Sequence, residues 1–313
     1  MTAVLMEASS GDVLMDTRAH QRLPMASTTK IMTALLLCEY GNLEREITVT
    51  EEMLRVEGSS MGLLAGDRVT LHDLLYGMML SSGNDAANVT AYVLGGTIDG
   101  FVKMMNDRAQ ELGLKDTCFL NSTGLDADGH LTSAHDIAVA SCELIKHDII
   151  KNYSTVWMDS LRNGESELVN TNKLVRFYEG CTGLKTGSTD EAGCCLSASA
   201  ERGGMELVSV TLGSPNTDER FASGRKLLDY GFANHESFTR AFSKQIGKTP
   251  SDFRKERPRV GKFELVNGIY GIGLLSQTEK RSISNMTKQN FQDDGCTILY
   301  GVPKIEWGTY GGC

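Results

Sequence analysis

An α/β fold is predicted for residues 1–234 of this 313-residue chain: an antiparallel sheet built from both ends of one domain, with a helical lobe inserted between them. Three observations predict it. Two short β-type runs, Val4-Leu5-Met6-Glu7 and Val13-Leu14-Met15, flank Ser9-Ser10-Gly11-Asp12 and read as a hairpin. The middle of the domain is a succession of apolar helical segments. Strand-like runs then return at 194–200 and 207–212, before a closing helix over about 218–230. A site between sheet and lobe would collect residues from both.

The elements follow in order. Pro24-Met25-Ala26 precedes Ser27, and the apolar Ile31-Met32-Thr33-Ala34-Leu35-Leu36-Leu37 follows Lys30, so Ser27 stands where a loop enters a buried helix. Asp67-Arg68-Val69-Thr70-Leu71-His72-Asp73 opens another helix with a Thr-x-x-Asp capping pattern at Thr70 and Asp73. That helix ends in Leu74-Leu75-Tyr76-Gly77-Met78-Met79-Leu80, just before Ser81-Ser82-Gly83-Asn84 turns into the next. Helices are then expected over 85–94, 98–112 and 133–147. Gly183-Leu184-Lys185-Thr186-Gly187-Ser188 begins a strand.

Composition bounds the possibilities. The apolar fraction, 41%, is enough for a full core, and no run approaches the roughly 20 apolar residues of a membrane span. Met1 is followed almost at once by the first strand with no export signal, so the chain reads as shortened at its N-terminus or as a processed form. The net charge of −9 is uneven: over 240–262, eight Lys or Arg oppose only Asp252 and Glu256, making that segment +6 and the remainder about −15. The eight cysteines lack paired C-x-x-C metal spacing and are expected to be buried free thiols, a poor fit to an oxidising compartment. The fourteen methionines are read as core filling.

Three short motifs carry chemistry: Ser27-Thr28-Thr29-Lys30, Ser82-Gly83-Asn84 and Lys185-Thr186-Gly187. The first puts a hydroxyl and an amine one helical turn apart on one face. The second adds a hydroxyl and a carboxamide, and the third a cation, a hydroxyl and a glycine. An S-x-x-K arises by chance about once in a chain this long, as does a Ser-x-Asn. Chance does not account for all three in this order and in these contexts. Together they match the motif set of penicillin-binding serine acyl-enzymes.

The chain from about residue 3 to residue 234 closely resembles the D-alanyl-D-alanine carboxypeptidases, the low-molecular-mass penicillin-binding proteins. Connecting stretches share the likeness, among them Gly58-Ser59-Ser60-Met61, Phe119-Leu120-Asn121-Ser122-Thr123-Gly124-Leu125, His130-Leu131-Thr132-Ser133-Ala134-His135-Asp136 and Lys226-Leu227-Leu228-Asp229-Tyr230-Gly231-Phe232. The resemblance implies a β-lactamase/transpeptidase-like fold and a serine-type, metal-free, cofactor-free hydrolase removing the terminal D-alanine of peptidoglycan stem peptides on the cell-wall side of the membrane. It implies Ser27 as nucleophile and Lys30 as general base. Lys185 is the neighbouring cation that would lower the Lys30 pKa. Ser82 would relay a proton to the leaving nitrogen, and Asn84 would position substrate and Lys30. The backbone N–H groups of Ser27 and Ser188 would hold the oxyanion, and Lys185, Thr186 and Arg220, beside Gly187, would bind the terminal carboxylate. β-Lactams are implied as covalent inhibitors.

Class A β-lactamases are the nearest rival. They use Ser-Asp-Asn where this chain has Ser82-Gly83-Asn84, and Thr117 stands where their deacylating Glu precedes a Leu-Asn pair, here Leu120-Asn121. Slow trapping as an acyl-enzyme is therefore expected rather than fast β-lactam hydrolysis. A metal site or Ser-His-Asp triad at His130 and His135, near Asp126, Asp128 and Asp136, is disfavoured, because carboxypeptidase relatives have a similar loop without a metal.

Beyond Asn234 the resemblance changes. Residues 231–257 resemble the last two helices of an AraC-type DNA-binding domain. Asn234 is expected to cap a helix with a Phe238, Phe242, Ile246 stripe ended by Gly247, and Thr249 and Pro250 to open a second. The helix that would brace a recognition helix is replaced by the closing helix of the first domain, which argues against sequence-specific DNA binding. Residues 297–313 faintly resemble an effector-binding strand. The chain therefore reads as a carboxypeptidase domain (1–234), a partial helix-turn-helix segment (235–262) and an irregular, truncated tail (263–313), joined as a fusion. The alternative functions are a chimeric DNA-binding regulator that senses penicillin-like ligands, or an inactive truncated product.

Overall fold

The computed structural model describes residues 1–161, 166–247, 263–266 and 269–272. The chain divides into two units, Met1–Gly231 and Phe232–Cys313. The first begins with a hairpin of β1 (Thr2–Glu7) and β2 (Val13–Thr17), then β3 (Leu23–Pro24), a 3-10 turn (Ala26–Thr29) and α1 (Lys30–Tyr40). The paired β4 (Glu46–Thr48) and β5 (Arg68–Thr70) lead into α2 (Leu71–Ser81), α3 (Asn84–Gly95) and α4 (Ile98–Glu111). β6 (Leu131–Thr132) pairs with β3, and α5 (Ala134–Leu144) and α6 (Asp148–Ser154) follow. A hairpin of β7 (Met158–Leu161) and β8 (Ser166–Val169) and the short α7 (Leu174–Phe177) precede β9 (Cys181–Thr189), β10 (Gly193–Arg202) and β11 (Met205–Ser214). α8 (Thr217–Ile246) comes next.

Five strands form one antiparallel sheet in the order β2-β1-β11-β10-β9, so the two ends of the domain meet where Val4 opposes Val210. This is the architecture expected from the pattern of strands and helices. β9 is an edge strand, and an edge leaves backbone groups free to face a ligand or another element. α1 is the pillar of the lobe. Ile31, Met32, Ala34, Leu35, Leu36 and Leu37 are all buried, because α1 touches α2, α3, α4 and α5. Each such large apolar side chain contributes about 1.5–3 kcal/mol on burial, which fixes the helix that carries Lys30.

α2 starts as its sequence predicts: Thr70 Oγ1 accepts from the Asp73 N–H at 3.1 Å, and Asp73 Oδ2 accepts from the Thr70 N–H at 2.9 Å. Arg68 and Val69 belong to β5 rather than to the helix, since Val69 pairs with Ile47. The cysteine expectation needs correcting. Only Cys142 and Cys195 of the six described are buried, while Cys38, Cys118, Cys181 and Cys194 are half-buried. Cys194, near the start of β10, is half-buried, and Cys195 beside it is buried.

In the closing region the expected cap at Asn234 is absent. α8 runs through it without a break, because no proline interrupts 217–246 and its two glycines, Gly224 and Gly231, cost a helix only about 1 kcal/mol each. Gly247 ends the helix with φ 75° and an N–H donated to the Ser243 carbonyl at 2.9 Å. The side chains of the Phe238, Phe242, Ile246 stripe and the second helix from Thr249 lie outside the described residues, as do Cys296, Cys313 and residues 297–313. Within the tail expected to be irregular, β12 (Phe263–Val266) and β13 (Ile269–Ile272) pair antiparallel. Among the described residues no helix is long and apolar enough to cross a membrane.

Candidate active site

Ser27 sits on the 3-10 turn, and the residue before it, Ala26, has φ 47°. Left-handed backbone at a non-glycine residue persists only where its surroundings over-determine it. Here they do. The Ala26 carbonyl accepts from Thr29 Oγ1 at 2.9 Å, and the Met25 carbonyl accepts from Thr28 Oγ1 at 2.6 Å and from the Thr28 N–H at 3.2 Å. Two glycines clamp the same turn. A Cβ on Gly124 would lie 1.9 Å from the Ala26 oxygen, and one on Gly187 would lie 2.7 Å from the Ser27 nitrogen. Gly187 thus lets the edge strand β9 press its backbone against the turn.

Lys30 opens α1 with its amine fully buried. Its Nζ lies 2.8 Å from Ser27 Oγ, 2.6 Å from Asn84 Oδ1 and 2.7 Å from the Thr123 carbonyl. Asn84 is held so that its oxygen faces the amine, because its Nδ2 donates to the Glu57 carbonyl at 2.6 Å. The Asn84 backbone N–H donates to the Ser59 carbonyl at 2.6 Å. Next to it, the buried Asp85 carboxylate accepts the N–H groups of Met61, Gly62 and Leu63 at 3.0–3.1 Å. Asn84 and Asp85 therefore bind the 57–63 loop to the start of α3. Burial pushes the Lys30 pKa well below the usual lysine value, the Lys185 charge pushes the same way, and Asp85 opposes both.

The opposite wall is β9 and the first turn of α8. Lys185, also fully buried, has its Nζ 2.9 Å from the Thr186 carbonyl. Burial and then the Arg220 charge bring its pKa down to about 7. Thr186 Oγ1 donates to Thr171 Oγ1 at 2.6 Å. Arg220 is buried, not a solvated charge at a helix start. Its Nη1 reaches the Gly187 carbonyl and Ser188 Oγ at 3.2 Å and the Cys195 carbonyl at 3.4 Å, while its buried Nε has no partner among the described residues. Ser82 ends α2 in a left-handed conformation, φ 61°. It is buried, and its hydroxyl makes no hydrogen bond among the described residues.

The structure thus brings Ser27, Lys30 and Asn84 into direct contact and sets Lys185, Thr186, Gly187, Ser188 and Arg220 on the facing wall. Sequence reasoning missed the Thr123 carbonyl on Lys30 and the Thr171 partner of Thr186. The signal for Thr123 was the Asn121-Ser122-Thr123-Gly124 stretch, where Asn121 Oδ1 accepts the N–H groups of Thr123 and Gly124 at 3.1 and 2.7 Å and folds the loop into a tight turn. The two histidines part company. His135 stacks on His20 with ring centroids 4.4 Å apart, whereas His130 is buried against Thr29. Among the described residues no cluster of His, Cys, Asp or Glu is arranged to hold a metal ion.

The sequence profile of the D-alanyl-D-alanine carboxypeptidases, Peptidase S11, matches residues 1–216. The chain belongs to this family. The carboxypeptidase DacF of Bacillus subtilis is 40% identical over 244 residues, covering 75% of this chain and 63% of its own length. DacC of Escherichia coli is 36% identical over 248 residues, covering 75% and 62%. This S11 chain thus spans about three-fifths of the length of these relatives. The match to DacA of Haemophilus influenzae, 33% identical over 306 residues, covers 93% of the chain and so extends past residue 234. Among solved structures, the Streptomyces K15 DD-transpeptidase superposes with a TM-score of 0.69 at 30% identity, covering 74% of this chain and 96% of that one. Penicillin-binding protein D2 from Listeria monocytogenes, in its cefotaxime-bound form, gives 0.67 at 31%, with coverage of 74% and 96%. The S11 fold is therefore the transpeptidase-like one that the motifs imply.

Proposed function

We propose that this chain is a serine-type D-Ala-D-Ala carboxypeptidase that releases the terminal D-alanine of peptidoglycan stem peptides through a Ser27 acyl-enzyme. The observation that carries the reading is the hydrogen-bond balance at Lys30. A neutral amine has two N–H donors and one lone pair. Asn84 Oδ1 and the Thr123 carbonyl, both pure acceptors, take the two N–H groups. The lone pair is then left for the Ser27 hydroxyl 2.8 Å away, which becomes the donor. Burial and the Lys185 charge favour that neutral amine.

The chemistry follows from these roles. The terminal carboxylate docks on Lys185, Thr186 and Arg220, and the scissile carbonyl oxygen faces the Ser27 and Ser188 N–H groups. Ser27 Oγ attacks as its proton passes to Lys30. The carbon–nitrogen bond to the last D-alanine then breaks, and Ser82 relays the proton to the leaving amine. For that relay the Lys30 amine must exchange one of its three present partners for Ser82. Water next attacks the ester, giving its proton to Lys30, and the Ser27 oxygen leaves and is reprotonated. β-Lactams present the same carbonyl without a departing amine and stay attached as acyl-enzymes. The substrate places the activity on the cell-wall side of the membrane.

The test is covalent labelling by a fluorescent penicillin, read on a denaturing gel, followed by D-alanine release from a stem-peptide analogue. Strong, persistent labelling abolished by Ser27→Ala is expected. A folded wild-type protein that takes no label would sink the acyl-enzyme reading.

A further inference from the structure

His130 stands outside the residues given roles above, yet it joins the two stretches of backbone that define the nucleophile's position. Its Nδ1 accepts the Leu120 N–H at 2.9 Å, so in the neutral ring the proton sits on Nε2. That Nε2 lies 2.9 Å from Thr29 Oγ1, whose own proton is given to the Ala26 carbonyl at 2.9 Å. The result is a directed chain in a buried setting: Leu120 N–H to imidazole, imidazole to hydroxyl, hydroxyl to carbonyl. One end of the chain holds the left-handed residue just before Ser27. The other holds the head of the loop that turns at Asn121 and offers the Thr123 carbonyl to Lys30.

We propose that His130 is a positioning residue for the Ser27 chemistry, fixing the Ser27 hydroxyl against the Lys30 amine by clamping the Ala26 turn and the 120–125 loop to each other through Thr29. The inference rests on the acyl-enzyme reading of the site. A ring that must accept at Nδ1 and donate at Nε2 can do both only while neutral. Its surroundings favour that state: burial lowers the His130 pKa to about 4, with Asp126 opposing. The ring touches no substrate in this scheme. Its effect is exerted wholly on where Oγ and Nζ stand, and displacements of an ångström at such a pair cost on the order of 100-fold in rate.

The experiment measures the second-order rate of fluorescent-penicillin labelling for the full chain, with kcat and KM for D-alanine release, in His130→Ala, Thr29→Val, the double variant and His130→Gln. Both single variants are expected to slow labelling by about 10- to 100-fold, lowering kcat with KM little changed. The double variant should be no slower than the worse single one, because one chain is cut in two places. Glutamine can put an N–H donor near the place of Nε2, so His130→Gln should recover most of the lost rate. Nitrogen NMR of the wild-type protein should show a neutral ring protonated at Nε2. Folded His130→Ala and Thr29→Val proteins that label at the wild-type rate would overturn the proposal, and so would an Nδ1-protonated ring. Should His130→Ala fail to fold, Thr29→Val and His130→Gln decide the matter in the same way. A folded wild-type protein that takes no label removes the acyl-enzyme reading itself, and this proposal with it.

Discussion

Two lysines lie fully buried on opposite walls of the site, and they are treated in opposite ways. On the lobe wall, Lys30 has its amine saturated by three oxygens at 2.6–2.8 Å. On the sheet wall, Lys185 has one backbone acceptor at 2.9 Å among the described residues. Saturation pins an amine in place and leaves it nothing to offer but a lone pair. Under-coordination leaves N–H donors seeking an anion, and the adjoining Arg220 keeps that wall positive. The difference teaches that burial depresses both pKa values while the surrounding acceptors differ, which is what separates the proposed base from the proposed anion receptor.

Exchanging the properties of the two walls should separate them. The largest effect is expected from Lys30→Ala, which should slow penicillin acylation by about 100- to 10,000-fold. If Lys185→Ala proved the more damaging in the same assay, the roles would have to be reversed. Lys185→Ala should lower kcat/KM for a peptide ending in a free carboxylate by about 10- to 100-fold, the loss of one charge-assisted hydrogen bond. The same peptide with a C-terminal amide should lose less, its residual loss reflecting the Lys185 charge that favours a neutral Lys30, and equal losses on both would refute the receptor assignment. The pH profile refines this further. Lys185 must keep its proton to attract a carboxylate and has a pKa of about 7, so kcat/KM for the free-carboxylate peptide should fall as pH rises through that value. Lys185→Arg, which holds its charge, should move this alkaline limb upward. The sign for stability is the reverse: the fold favours the neutral amine, so this group's contribution grows as pH climbs from about 7 toward 10.5. The smallest change is expected from Thr171→Val, which removes the partner of Thr186 and should raise KM by about 2- to 10-fold with kcat unaltered.

Much of this contrast is legible in the sequence, and the remainder is not for identifiable reasons. Ser27, Lys30, Asn84 and the Lys185 strand are visible because side-chain identity at fixed spacing carries the chemistry. The Thr123 carbonyl is invisible because a backbone acceptor can belong to any residue and is placed only by tertiary folding. Arg220 is singled out by the resemblance alone, because its place near a helix start says nothing of the β9–β10 carbonyls that accept from it. His130 drew attention as a metal or triad candidate, whereas its two ring nitrogens are used up by a backbone N–H and a threonine hydroxyl. In the closing region, Asn234 has the right chemistry for a cap, yet continuing an established helix is cheaper than starting another. The β7–β8 hairpin and α6 escaped notice because short elements give too few periods for a pattern to register.

The clamping of Ala26 between Gly124 and Gly187 has a consequence for biogenesis. Both glycines come from far downstream of Ser27, so the turn that would present the proposed nucleophile is not assembled in a partly made chain. Long-range contacts of this kind form late. On the acyl-enzyme proposal, the hydroxyl would acquire its reactivity only once the edge strand has closed on the turn, and a nascent or misfolded chain would be chemically silent. In the proposed mechanism, reaction with penicillin would thus be a stopwatch for maturation: the moment at which the protein becomes trappable would be the moment at which the domain is finished.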